Sequence, residues 1–479
     1  MTAHGKEAAA LALHRFGFGP AANSIAAIAA DPRGALLADV DRPAAGYLAA
    51  ETLPSSAAAA RAVFEFRAEQ QASQKLALRA QKEAAASDAM QPLPPTQASM
   101  TPAQRQPPKP PNQPPPLPQQ IIQNEAKARF DAAAAADIGF VERLVWFWSN
   151  HFCVSADKDI AMVGAYEREA IRPHVLGRFS DLVLAVESHP AMLVYLDNVE
   201  SMGAASVAGI NRDKGLNENL AREIMELHTL GVRSGYTQVD VTSFANVLTG
   251  WTWTRPDDPA HGGEFIFIPR LHQPGNATVL GKTYSDTGVE QGRAVLYDFA
   301  RHPATAQHIA EKLARHFIAD EPPPTLVAKL AKSFNDSGGN LKDVARTLVS
   351  ADESWTPQRQ KLKSPAEWIA GLLRLSNTAD TNLIGRVMNA QAMLGAPLWR
   401  PPAPNGYPDT EAAWIDGVPH RVDVATEFAA RMPGLDPLAL LESAIGPLAS
   451  SETRETVARA ESRAQAVALL VMTPEFLRR

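Results

Sequence analysis

Along most of the chain, apolar residues return every three or four positions, the spacing that gathers them on one face of an α-helix. The pattern predicts a helix from Ala57 to Ser87, rich in Ala, Gln, Glu, Lys and Arg, and a second, long one from Gln119 to Phe152 ending in WFWSNHF. Further helices are predicted after Ser180, from Asn217 to Gly231, and after Thr237, where TQVD is a capping-box start. Others follow at Pro303 to Phe317, Pro324 to Asn335, Leu341 to Ser350, Pro365 to Leu375, Asp380 to Leu394, Arg421 to Arg431 and Pro437 to Ile445. Alternation of the β type is sparse: WTWT from Trp251, EFIFI around Phe265, and ATVLG at Val279 predict one small hairpin or three-stranded patch. The expected class is mainly α, a multi-helix globular protein.

One stretch breaks this pattern. Of 38 prolines, 12 fall between Pro92 and Pro118. Proline locks φ and lacks a backbone donor, so the stretch is expected to be a disordered, extended linker. The expected organisation is a helical region at 1–88, a Pro-rich insert at 89–118 and a main helical domain at 119–479.

Composition narrows the functional classes. Among 479 residues, Lys plus Arg is 46 and Asp plus Glu is 52, giving a net charge of −6, without the excess positive charge of a nucleic-acid binder. The lone Cys153 excludes an internal disulfide and a Cys-rich metal site. No apolar run reaches membrane-span length, and the first twenty residues lack a signal-peptide core, so a cytoplasmic location is expected unless a partner carries the chain out. Nucleotide fingerprints are absent, as are His-Glu-x-x-His, Gly-x-Ser-x-Gly and helical Glu-x-x-His.

Several long motifs stand out: LHRFGFGP at Leu13, WSNHF at Trp148, LNENLAREIMELHTLGV at Leu216, GYTQVDV with VLTGW at Gly235–Trp251, HPATAQHIAEKLARHF at His302, Lys363-Ser364-Pro365, and LGAPLWRPPAPNGYPD at Leu394. Together they resemble a bacterial family catalogued as domain of unknown function 1800, over nearly the whole chain apart from the Pro-rich insert. The resemblance brings no reaction and no cofactor with it. It implies a partner: genes of this family often sit beside members of another family, number 1501, that looks like the sulfatase and alkaline-phosphatase fold.

Candidate chemistry concentrates between Asn217 and Gly231. At 100° per residue, Leu220, Ala221, Ile224 and Leu227 form a buried stripe, while Glu218, Asn219, Arg222, Glu223, Glu226 and Thr229 share the opposite face. Glu223 and Glu226 are spaced to act together as acid and base or as metal ligands, with Arg222 to hold an anionic group. The same residues also fit a solvated Glu218–Arg222–Glu226 ladder. His228, on the apolar stripe, is either a buried structural histidine or a base tuned by burial.

His151 is a further acid–base candidate. Its pairing with Cys153 as a nucleophilic couple is disfavoured, because neighbours two apart on a helix diverge. His308, Lys312 and Arg315 point away from the apolar face of their helix, as a solvated basic face or as an anion patch facing the Glu-rich helix. Trp251 and Trp253 share one face of a strand and fit sugar stacking or core packing. Three functions stay open: a hydrolase- or lyase-like enzyme, metal-assisted or not; a helical accessory protein for a sulfatase-like partner; and a glycan-binding protein.

Overall fold

In the computed structural model, residues 3–48, 51–88, 114–158, 161–210, 212, 215–232, 234–376 and 383–479 are described. Most of the Pro-rich insert, 89–113, lies outside them. The described chain is mainly α-helical. Two helices flank the insert, Ser56–Asp88 and Leu117–Ala135. The amphipathic patterns downstream become Pro303–Phe317, Pro324–Asp336, Leu341–Ser350, Pro365–Ser376, Ile384–Met393, Val418–Ala430 and Pro437–Ala444. Thr237 and Asp240 close the reciprocal capping box that starts Gln238–Leu248. No described helix is long and apolar enough to cross a membrane.

Three local expectations are corrected. The long helix from Gln119 to Phe152 is two helices, Leu117–Ala135 and Phe140–His151. Ala136 turns extended, Gly139 takes the left-handed region at φ 86°, and the Asp39 carboxylate accepts the backbone N–H groups of Phe140 (3.1 Å) and Val141 (3.3 Å), restarting the helix in a new direction. The single β-patch is instead two separate antiparallel ladders. Trp251–Trp253 pairs with Phe265–Phe267, and Ala277–Val279 pairs with Lys282–Tyr284. The second turns through Leu280 and Gly281, both at positive φ, as a tight hairpin requires.

The third correction concerns the Glu-rich segment. It is α-helical only over Asn219–Glu223 and continues as a π-helical turn over Ile224–His228. Thr229 causes the widening: its backbone N–H (2.9 Å) and its hydroxyl (2.6 Å) both bond the Ile224 carbonyl, five residues back. Gly231, at φ 86°, then ends the segment by donating to the Met225 carbonyl (3.0 Å). The 100° wheel therefore fails beyond Glu223. Met225 and Thr229 are buried, and Leu227 is only half-buried.

Both ends of the chain meet in one core. Phe16 and Phe18 share it with Trp368 and Phe476. In LHRFGFGP, Arg15 donates to the carbonyls of Ser354 (2.8 Å), Thr356 (2.7 Å) and Gln358 (2.7 Å). His14 bonds the Ala444 carbonyl (3.0 Å) and accepts from the Lys363 ammonium (3.0 Å). That motif is a clasp between distant segments. Nearby lies a buried ionic network. Glu367 accepts from Arg143 (2.8 Å), Arg479 (2.9 Å) and the Ser364 N–H (3.0 Å). Asp409 pairs with His316 (2.6 Å) and Lys361 (3.1 Å), and Lys361 also reaches Asp320 (2.8 Å). Three acids face three permanent cations, and all four oxygens of Glu367 and Asp409 are taken.

Candidate functional site

Phe140–His151 and Pro303–Phe317 face each other in opposite directions. Arg143 meets His316 at one end, with 3.0 Å between their nitrogens, and His151 lies 6.1 Å from His308, centroid to centroid, at the other. Eight residues separate the two meeting points on each helix, about 12 Å at 1.5 Å per residue. The second meeting point is where sequence-distant polar motifs converge. His228, at the end of the π-helical turn, brings its ring to 6.1 Å from His151, and Phe152 packs edge-on against both rings.

The hydrogen bonds define which nitrogen of each ring carries a proton. His151 Nε2–H donates to the His228 carbonyl (3.1 Å), and His308 Nε2–H donates to the Leu227 carbonyl (3.0 Å). His228 Nδ1–H donates to the fully buried Glu187 carboxylate (2.8 Å). That leaves His151 Nδ1, His228 Nε2 and Glu187 Oε2 buried without a partner among the described residues. Buried polar atoms are almost always paired, so three orphans on adjoining side chains mark an unusual place. Burial, helped by the Lys312 charge, holds His151 well below its ordinary value and His308 at about 4, so both rings are neutral at pH 7.

Lys312 stands within electrostatic reach of His151, His308 and Cys153. It makes no hydrogen bond or ion pair among the described residues. Surrounded by protein atoms, its amine drops to about 8. Glu223 is half-buried near His228, and desolvation raises its carboxyl. Cys153 is not an activated nucleophile. Its thiol donates to the Pro404 carbonyl (3.2 Å), and burial pushes it up to about 12.

The match that places this chain is to a family model described as a protein of unknown function, DUF1800, over residues 11–478. The chain belongs to the DUF1800 family. No curated protein and no solved structure matches it.

In this DUF1800 chain the candidate residues divide into two groups. Glu223, His228 and His151 form a chain: Glu223 lies within electrostatic reach of His228, His228 lies 6.1 Å from His151, and His151 feels the Lys312 charge. Arg222 and Glu226 act on Glu223 only through space, and the remaining candidates lie elsewhere. Arg222 pairs with Glu218 (2.9 Å) and lies 3.6 Å from Glu226, while Glu218 also accepts from Thr242 (2.6 Å) and Gln238 (2.8 Å). Those last two bonds lower the Glu218 carboxyl. Asn219 begins the helix, its N–H bonded by the Asn217 side chain (2.9 Å). Trp251 is fully buried against Phe265, and Trp253 is half-buried.

Sequence reasoning passed over Glu187 and underrated Lys312. The signal for Lys312 was its spacing: His308, Lys312 and His316 recur every four residues, a polar stripe beside the apolar one. The basic face read from His308, Lys312 and Arg315 is half-buried and divided: Arg315 pairs with Glu311 (2.6 Å) in a partly solvated pair, while His308 and Lys312 turn toward His151 and His308 touches the Glu-rich segment. No group of three or more His, Cys, Asp or Glu among the described residues is arranged to hold a metal ion.

Proposed function

We propose that this DUF1800 protein is an enzyme of hydrolase or lyase type, with acid–base chemistry centred on Glu223, His228, His151 and Lys312. The observation that carries this reading is the half-buried Lys312 amine, without a hydrogen-bond or ion-pair partner among the described residues, within electrostatic reach of the neutral His151 ring and its bare Nδ1. A fold that needed only stability would pair such an amine or replace it. An acid–base catalyst works best with groups whose pKa lies near the working pH; the amine at about 8 supplies one, and desolvation moves the Glu223 carboxyl in that direction. Glu187 holds the proton on His228 Nδ1 and so keeps Nε2 free to take one. Arg222, already engaged by carboxylates, supports the Glu-rich segment rather than receiving an anion.

The test is turnover of chromogenic carboxylic, phosphate and sulfate esters, glycosides and a retro-aldol probe by the parent, Glu223→Gln and Lys312→Met. Loss of a general acid or base removes about 10²–10⁴ in rate. Parent turnover that survives both substitutions, or a parent inert toward every probe, counts against this reading.

A further inference from the structure

A cleft of about 120 Å³ lies on the Asn150–Cys153 side of the Phe140–His151 helix, walled in part by the LGAPLWRPPAPNGYPD segment. That motif has no part in the acid–base group. The volume is close to the roughly 150 Å³ of an apolar cavity that takes one benzene ring. Trp146, Trp399, Trp414, Leu398 and Pro401 give it an apolar wall. The Arg129 guanidinium lies 4.4 Å from the Trp146 ring centroid and 5.7 Å from that of Trp399.

Four buried polar atoms on its lining residues have no partner among the described residues: Arg129 Nε, Trp146 Nε1, Trp399 Nε1 and Gln391 Oε1. Three are donors and one is an acceptor. Every charge in the lining is already matched within the protein, Arg129 by Glu167, Glu367 by Arg143 and Arg479, and Asp409 by Lys361. Trp399 adds an independent sign. It sits at φ 52°, a costly backbone state for a bulky aromatic, held there by the Ala156 N–H bonding its carbonyl (2.8 Å). Strain of this kind persists where the surroundings enforce it, and it gathers at ligand sites.

We propose that this cleft binds an uncharged ligand with a flat apolar body and a carbonyl oxygen, of the ester or amide class. The apolar body packs against Trp146 and Trp399. The indole N–H groups and Gln391 Oε1 are closed off from the cleft in this structure, so the rings turn slightly on binding: the carbonyl then accepts from an indole N–H that otherwise stays unpaired, and an amide N–H meets Gln391 Oε1. A carboxylate ligand finds no free cation, and a hydrocarbon leaves the orphans as they are. The proposal does not depend on the acid–base reading, since the two share no residue that either one uses.

The experiment is calorimetric titration of the full chain with methyl benzoate, N-methylbenzamide, benzoate and ethylbenzene. Methyl benzoate or N-methylbenzamide binds more tightly than ethylbenzene by about fivefold, the value of one net hydrogen bond, and benzoate binds more weakly. The tighter of the two carbonyl probes names the class. Trp399→Phe and, separately, Trp146→Phe keep a ring but remove an N–H. At least one of them abolishes the carbonyl preference while leaving ethylbenzene unchanged, and thermal melts identify which variants fold. Equal binding of all four probes, tightest binding of benzoate, no binding of any probe, or a preference that survives both variants overturns the proposal.

Discussion

Two buried polar regions share the same pair of helices and have opposite characters. At the Arg143–His316 end, both Glu367 oxygens and both Asp409 oxygens have partners. At the His151–His308 end, Glu187 keeps one bare oxygen and two imidazoles keep bare nitrogens, and Lys312, half-buried, has no hydrogen-bond or ion-pair partner among the described residues. Burial is the same kind of cost at both ends, because removing charge from water is expensive in either place. Only the first end recovers it with every oxygen paired; the second has the single Glu187–His228 bond. The difference separates polarity that locks a fold from polarity held ready for something outside the fold.

The largest effect comes from breaking the paired end. Glu367→Ala strands Arg143, about 1% exposed, without a carboxylate, and leaves the equally buried Arg479 only Asp409, 3.6 Å away. Denaturant unfolding then shows a loss of about 3–5 kcal/mol. The parent carries the matching pH signature. Burial tends to raise the Glu367 carboxyl, but Arg143 and Arg479 outweigh it and bring it down to about 2. A carboxyl lowered by folding contributes stability above its unfolded value near 4.5, and that contribution drains away as pH falls toward 2. Equal acid sensitivity in parent and variant would break the assignment of this network as the lock.

The unpaired end answers in the opposite direction. Lys312→Met removes a charge that has no partner and keeps a side chain of similar length, so the variant is more stable than the parent at pH 7. The folded protein holds this amine at about 8, against an ordinary value near 10.5. Between those pH values the unfolded chain binds more protons, so the parent gains stability as pH rises, and the variant's advantage shrinks to nothing by about pH 11. Lys312 keeps part of its surface accessible, which brings the gain at pH 7 to roughly 1–3 kcal/mol. Competitive acetylation read by mass spectrometry checks the cause: Lys312 becomes half-reactive near pH 8, well before the surface lysines. A variant less stable than the parent would mean that the amine has a partner.

The amphipathic helices were legible because burying a stripe is a local demand, written in three- and four-residue spacing. Pro303–Phe317 has the bounds its pattern gives, and the Thr237 capping box is present as read. What escaped were features set by contacts across the fold. The Asp39 carboxylate that restarts the helix at Phe140 comes from about a hundred residues away. The π-helical turn depends on Thr229 bonding back to Ile224, which a uniform wheel does not contain, and it puts Thr229 in the core instead of on the polar face. His151 and His228 were both singled out on their own segments. Their meeting, and the place of Glu187 beneath them, belongs to tertiary packing alone.

The smallest effect lies on the exposed side of the Glu-rich segment and sharpens the comparison by supplying a solvated reference. Arg222 bridges Glu218 and Glu226, all three partly exposed, so water screens the pairs and Arg222→Ala costs about 0.5 kcal/mol or less. Glu218 keeps its bonds from Thr242 and Gln238 in the variant, which limits the damage further. In 1 M salt, where the screening length falls to about 3 Å, parent and variant unfold together. A second readout reaches inward. Glu223 is raised by desolvation and held back in part by His228 and by Arg222, so removing Arg222 raises its carboxyl further. A carboxyl raised by folding loses stability as pH climbs from its unfolded value through its folded one, so the variant's deficit at low salt is smaller at pH 4 than at pH 7. A deficit of several kcal/mol, or one that ignores salt, would show that the ladder belongs with the buried network and that Arg222 anchors the core.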